Sequence, residues 1–229
     1  VPFHSIPFHS IPFRSIPLVL LGSATCSREV DEPVPVDNSS ENNNGDYVGS
    51  FYRESFIDYY VRPDSLKAAL RLAGGELFVK LGFFGKEYSY YGGSAEFKRL
   101  SRKYGDTYFN RKAPWGISAL SEAILSVEVV ALTDYDAEHP QGSSLNDIIV
   151  FYHSETKLEY IQHGYDGHYL HNATYPLSAF PTGGIALADD VLSSLDFTRM
   201  PSGKGEYSMQ VTLTMESGRK LSKVISITI

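Results

Sequence analysis

The stretch from position 207 to 229 constrains the fold more than any other part of the chain. Across residues 207–215 apolar and polar side chains alternate, placing Tyr207, Met209, Val211, Leu213 and Met215 on one face. Such alternation has the two-residue period of a strand with one buried face. Glu216-Ser217-Gly218-Arg219 supplies a turn, and apolar positions resume at Leu221, Val224, Ile225, Ile227 and Ile229. Two alternating runs around a glycine turn predict a β-hairpin. A lone hairpin is marginal in water, so it requires a larger sheet.

Further strands are predicted at 123–132 and 147–153, which are β-branched and aromatic runs bounded by turn residues, and at 75–84 and 87–91, broken by Gly82 and Gly85. A helix is predicted over 65–72, with Asp64 as N-cap and Gly74-Gly75 as stop. A second is predicted over 187–197, where Leu187, Val191, Leu192 and Leu195 have helical spacing and Asp189 and Asp190 fall in the first turn. Residues 96–104 add a further turn or two. The chain therefore reads as mainly β with a few short helices. Its hairpin ending resembles the last two strands of immunoglobulin-like domains, which implies an antiparallel β-sandwich over 47–229. With 42% hydrophobic and 13% aromatic residues, the chain has ample material for a packed core.

Ahead of that domain, residues 1–15 form a pentad repeat (Val1-Pro2-Phe3-His4-Ser5 and two relatives) whose regular prolines block helix. Residues 16–25 are a short apolar run ending in small residues, followed at once by Cys26. The run is too short to span a bilayer, which needs about 20 residues, and suits the apolar region of an export signal, about 7–15 residues long. Residues 27–46 are acidic and polar and read as a flexible tether. This order resembles a bacterial lipoprotein signal. The resemblance implies lipidation of Cys26, export, and attachment to the outer membrane or cell surface through the lipid alone. Cleavage without lipidation and an unmodified cysteine are the other fates open to it.

Composition excludes several classes of chemistry. The formal net charge of −7 argues against nucleic acid, which needs clustered cations. Lys98-Arg99, Arg102-Lys103 and Arg111-Lys112 are the one basic group. Cys26 is the only cysteine, so the globular region holds no disulfide, thiolate metal site or cysteine nucleophile. No G-x-S-x-G elbow or phosphate-cradling glycine loop occurs.

Two loops carry the remaining candidates. Asp134, Asp136, Glu138 and His139 follow a strand directly, and oxygen ligands at i and i+2, with Asn146 or Asp147, suit calcium. The competing reading is an ordered connection in which Asp side chains bond backbone amides and Pro140 and Gly142 shape the bend. In the run 163–171, His168 and His171 are spaced as zinc or iron ligands if His139 or His153 comes near. Two glycines there favour instead a loop of hydrogen-bonded surface histidines. Tyr135, Tyr165 and Tyr169 in these loops offer rigid amphipathic rings for a ligand, including sugar stacking. The segment with Ala113-Pro114-Trp115 and residues 133–147 also resembles a signature of uncharacterised exported surface lipoproteins of gut and oral Bacteroidota, to which no activity is attached.

The leading expectation is a non-catalytic, exported binding module for a glycan, peptide or protein, using loops 133–147 and 163–175 and no cofactor. The alternative is a metal-dependent enzyme or metal-binding protein holding calcium or zinc through Asp134, Asp136, His139, His168 and His171. A structural subunit of a surface assembly is the third.

Overall fold

A computed structural model of the chain describes residues 51–113 and 116–229. The export segment, Cys26 and the tether 27–46 lie outside the described residues, as do Pro114 and Trp115. The described chain runs β1 (Phe51–Arg53), β2 (Tyr59–Ala73), β3 (Glu76–Ser89), α1 (Ala95–Tyr104), β4 (Arg111–Ala113), β5 (Ser118–Leu120), β6 (Ile124–Ala131), β7 (Ile149–His153), α2 (Lys157–Gln162), β8 (Ala173–Pro176), β9 (Ser194–Phe197), β10 (Glu206–Met215) and β11 (Lys220–Thr228), with three single 3₁₀ turns.

The fold is mainly β and built on two larger sheets. One has the order β11-β10-β6, the other β5-β2-β3-β9-β7-β8, and β1 pairs separately with β4. The expected C-terminal hairpin is present as β10–β11, with Leu213 opposite Leu221 and Met209 opposite Ile225. Tyr207, Met209, Val211, Leu213 and Met215 all point inward. They meet Val61, Leu77, Val79, Leu81, Phe83 and Phe151 of the larger sheet in one core. Full burial of such a side chain is worth roughly 1.5–3 kcal/mol, which is why the two sheets close on each other. Val224 gains little of this: its neighbour Ile225 turns inward, leaving it 56% exposed. The sheets are antiparallel except at β2–β5, where Tyr59 to Val61 run parallel with Ser118 to Leu120.

Two predicted helices are strands or irregular chain. Residues 65–72 lie inside β2, paired with β3 through Ala68–Leu81 and Leu70–Val79. The Ala- and Leu-rich composition favours helix locally, but pairing with β3 buries Leu66 and overrides it. Gly74 and Gly75, expected as a helix stop, are the two-residue hairpin turn with φ of 62° and 85°, which only glycine adopts cheaply. Asp64, expected as N-cap, is the extra residue of a β-bulge between Pro63 and Ser65. Gly85, opposite Pro63, does not break β3 but accommodates the bulge. In the second case, residues 194–197 form β9, the strand between β3 and β7. Asp189 caps nothing, because Lys157 and Ser154 hold its carboxylate. The third predicted helix is α1, which begins one residue earlier than expected. Ser94 caps it by accepting from the Phe97 amide, and Gly105 closes it in the left-handed conformation.

A second, aromatic core joins α1 and α2 to one end of the large sheet. It contains Phe56, Tyr60, Phe97, Tyr104, Phe109, Tyr160 and Tyr165. Tyr60 and Tyr104 stack, and the other rings contact edge-on or tilted, as in Phe56–Tyr160 at 4.8 Å and Phe109–Tyr165 at 5.0 Å.

Candidate functional site

The loop after β6 is an ordered connection. The Asp136 carboxylate accepts from the backbone amides of Glu138 (2.9 Å) and His139 (2.8 Å), and Asp134 accepts from the Gln141 amide at 2.8 Å. Gly142 adopts a φ of 87° at the bend. The Asp136 bonds form an Asx turn and the Asp134 bond ties the start of the loop to Gln141, so both carboxylates bind loop backbone. His139 is buried, with Nδ1 2.7 Å from Asp136 and Nε2 3.1 Å from both oxygens of Asp147. Desolvation alone lowers an imidazole's pKa, but here hydrogen bonds to the two carboxylates outweigh it and leave His139 raised above 6.5. With a folded pKa above the unfolded one, the stabilisation is complete below about pH 6.5 and is lost as pH rises through the folded value. A ring-proton titration by NMR is expected to place the His139 midpoint above 6.5, with His139→Gln removing the alkaline loss. A midpoint at or below 6.5 contradicts this arrangement.

The tyrosines and histidines of the two loops separate in space by role. Tyr135 is not a surface platform: its ring is in the main core and its hydroxyl donates to the Arg199 carbonyl at 2.5 Å. Tyr165 is likewise buried, held at a φ of 62° in the aromatic core. Neither ring faces a ligand as expected. A Tyr in a polar loop leaves burial undecided, and here apolar neighbours take both rings. Tyr169 does stand at the surface, stacked on His163 at 3.6 Å. His168 is exposed and paired with Asp166 at 2.7 Å. His171 is exposed and tied to Thr156. Among the described residues, no group of three or more His, Cys, Asp or Glu is arranged around a common point.

A different site emerges beside α1, which sequence reading missed. Its floor begins with residues 53–58. Arg53 and Asp58 form a fully buried ion pair at 2.5 Å, and Arg53 also donates to the carbonyls of Ser55 (2.7 Å) and Phe56 (2.6 Å). Just past the Gly105 cap, Asp106 turns inward. One of its oxygens accepts from the Phe56 amide (2.7 Å) and the Tyr165 hydroxyl (3.1 Å). The other accepts from the Ile57 amide (2.9 Å) and the Ser55 hydroxyl (2.5 Å). Burial pushes its pKa up despite these donors. Tyr165 is thus a support behind the site, its own hydroxyl pushed up by burial and by Asp106.

Over this floor opens a cavity of about 270 Å³, bounded by Tyr90, Phe97, Ser101 and Asp106. Comparison with known protein families, curated proteins and solved structures finds none that matches the chain. Four residues of α1 line the cavity: Phe97, Lys98, Ser101 and Arg102, at the i, i+1, i+4 and i+5 positions that share one side of a helix. Ser101 is buried, and its hydroxyl makes no hydrogen bond of ordinary geometry. The Tyr60 hydroxyl lies behind it, close enough for the two hydroxyls to pair with each other. Of the basic group noted in the sequence, Arg99 is neutralised by Glu96 (2.7 Å) and Lys103 by Glu216 (2.6 Å). Lys98 and Arg102, at the cavity mouth, have no carboxylate partner among the described residues.

The arrangement suits binding better than proton transfer. A carboxylate has about four acceptor sites, and four donors occupy those of Asp106, leaving it no capacity to act on a substrate. The groups left to meet a ligand are the Ser101 hydroxyl, the Lys98 and Arg102 cations, exposed Glu54 across the mouth, and the half-buried ring of Tyr90. Tyr90 is held edge-on against Phe97 at 5.6 Å.

Proposed function

We propose that the domain is a non-catalytic binding module whose α1 cavity takes an acidic sugar unit of a glycan. The observation carrying this reading is a cavity lined by the Ser101 hydroxyl, an aromatic wall, and two cations, Lys98 and Arg102, that have no carboxylate partner among the described residues. A saccharide supplies an acceptor for Ser101 and an apolar ring face for Tyr90, and its carboxylate meets Arg102 and Lys98 by charge-assisted hydrogen bonds. At about 270 Å³ the cavity lies just below the usual range of ligand sites, about 300 Å³ upward, a size suited to a single sugar ring. The sequence pattern around Cys26 supports an exported, lipid-anchored address, where such ligands are met, and the likeness to Bacteroidota surface lipoproteins points the same way.

The test is calorimetric titration of the protein with oligogalacturonate and N-acetylneuraminate. The expected result is saturable binding to one of them. Ser101→Ala should weaken it by about fivefold to tenfold, as loss of a neutral hydrogen bond of about 1–1.5 kcal/mol. Arg102→Ala should weaken it by tenfold or more, since bonds to charged groups are worth about 1.5–3 kcal/mol. Binding that is indifferent to both substitutions contradicts the assignment.

A further inference from the structure

The outer face of the β2–β3 hairpin carries a second concave surface, independent of the α1 cavity. It is a groove of about 480 Å³. Phe84 (44% exposed), Val191 (45%) and Leu192 (54%) form its walls, and Gly82 leaves its floor low. Val191 and Leu192 are not a loose tip. The Phe83 amide donates to the Asp190 carbonyl at 2.7 Å and the Leu81 amide to the Ser193 carbonyl at 3.0 Å, so the pair is clamped on both sides. The Asp190 side chain faces away, accepting from Ser118 at 2.5 Å.

Three ammonium groups, on Lys67, Lys80 and Lys223, surround the groove, and Lys67 lies 4.0 Å over the Phe84 ring. None of the three has a carboxylate partner among the described residues, and no acidic side chain lines the groove. On a chain of net charge −7 this is a concentrated positive spot. Exposed apolar surface with cations at its edge calls for an occupant that is apolar and anionic. The lining narrows the choice further. Every hydrogen-bonding side chain in it is a donor, whereas an extended peptide brings amide donors of its own that need acceptors. An acyl carboxylate brings acceptors at one end and no donor at all.

We infer that this groove binds a free, single-chain fatty-acid-type carboxylate, its chain along Phe84, Val191 and Leu192 and its head group among the three lysines. The test uses the full chain with carboxyl-¹³C decanoate, below the concentration at which it forms micelles, and with uncharged decanol as the control. Saturable one-to-one binding of decanoate is expected. Replacing Lys67, Lys80 and Lys223 together by Gln should weaken decanoate about tenfold or more, the loss of a charge-assisted bond, while leaving decanol unchanged. Gly82→Leu, which fills the floor, should weaken both ligands. Lys67, Lys80 and Gly82 lie on the outer face of β2–β3 and Lys223 is an exposed residue of β11, and the thermal midpoint of each variant reports whether it is folded. Three results overturn the inference: no saturable decanoate binding, equal binding by the lysine variant, or attachment only to phosphatidylglycerol vesicles without binding of monomeric decanoate. The last would make the face a membrane contact instead.

Discussion

Gly85→Ala is expected to cost roughly 4 kcal/mol or more of folding stability, at the extreme of single substitutions. A Cβ at this position would lie 1.8 Å from the Arg62 carbonyl oxygen and 2.7 Å from the Asp64 amide nitrogen. Both are backbone atoms, so no side-chain rotation relieves the overlap, and the β2–β3 pairing must open at its bulge. Gly82, three residues earlier on the same strand, provides the comparison. A Cβ there meets only the Phe84 ring closely, at 3.4 Å, so Gly82→Ala should change stability by less than about 1 kcal/mol. Urea denaturation of the two variants measures the difference. Similar losses in both would show that the bulge does not bring the chains together as described.

Acid should destabilise the domain through His153, by roughly 3 kcal/mol between pH 6.5 and 4. The ring is buried at the end of β7, its Nδ1 without a hydrogen-bond partner. Nearby, Lys157 is paired with Asp189 at 2.6 Å, and Ser154 bonds the same carboxylate. Burial, reinforced by the Lys157 charge and opposed by Asp189, pushes the imidazole down to about 4. Because the folded pKa lies below the unfolded value of about 6.5, the unfolded chain takes up the proton first. Stability is therefore fully present above about pH 6.5 and falls until about pH 4, by up to about 1.4 kcal/mol for each step of one in pH. Asp58 and Asp106, raised by burial, act in the opposite direction as pH falls. The difference between wild type and His153→Leu isolates the imidazole. Urea midpoints at pH 7 and pH 4 should show the variant losing roughly 3 kcal/mol less than wild type. Parallel losses in both would contradict a neutral, buried His153.

The hairpin at β10–β11 was legible because strict alternation has one solution, a strand with one wet face. The strand β6 was legible as a β-branched run, whereas only a turn or two was expected over 96–104, where Ser94 and Gly105 cap a ten-residue helix. Residues 65–72 were not. Helix-forming residues after Asp64 satisfy every local rule for a helix, and only pairing with β3, a tertiary fact, makes them a strand. Gly85 looked like a strand breaker because sequence does not reveal what lies opposite a glycine. The same limit hid the α1 cavity. Asp106 and Ser101 are individually unremarkable, and they matter through residues 53–58 and Tyr165, some fifty residues away in either direction. One signal was available. Lys98 and Arg102 stand one helical turn apart without the acidic neighbour that Arg99 finds in Glu96. The Asp and His loops stood out instead, because their residue types suit metals, yet their carboxylates are used to fold the loops themselves.

The most direct test of the binding site is a map of amide chemical shifts in the isotope-labelled protein as an acidic oligosaccharide is added. Saturable shifts are expected at Gly93, Lys98, Ser101, Arg102 and Thr107, around one cavity, and not in the 133–147 and 163–171 loops. Saturable shifts confined to those two loops would contradict this site and return the function to the surface around Tyr169 and His168.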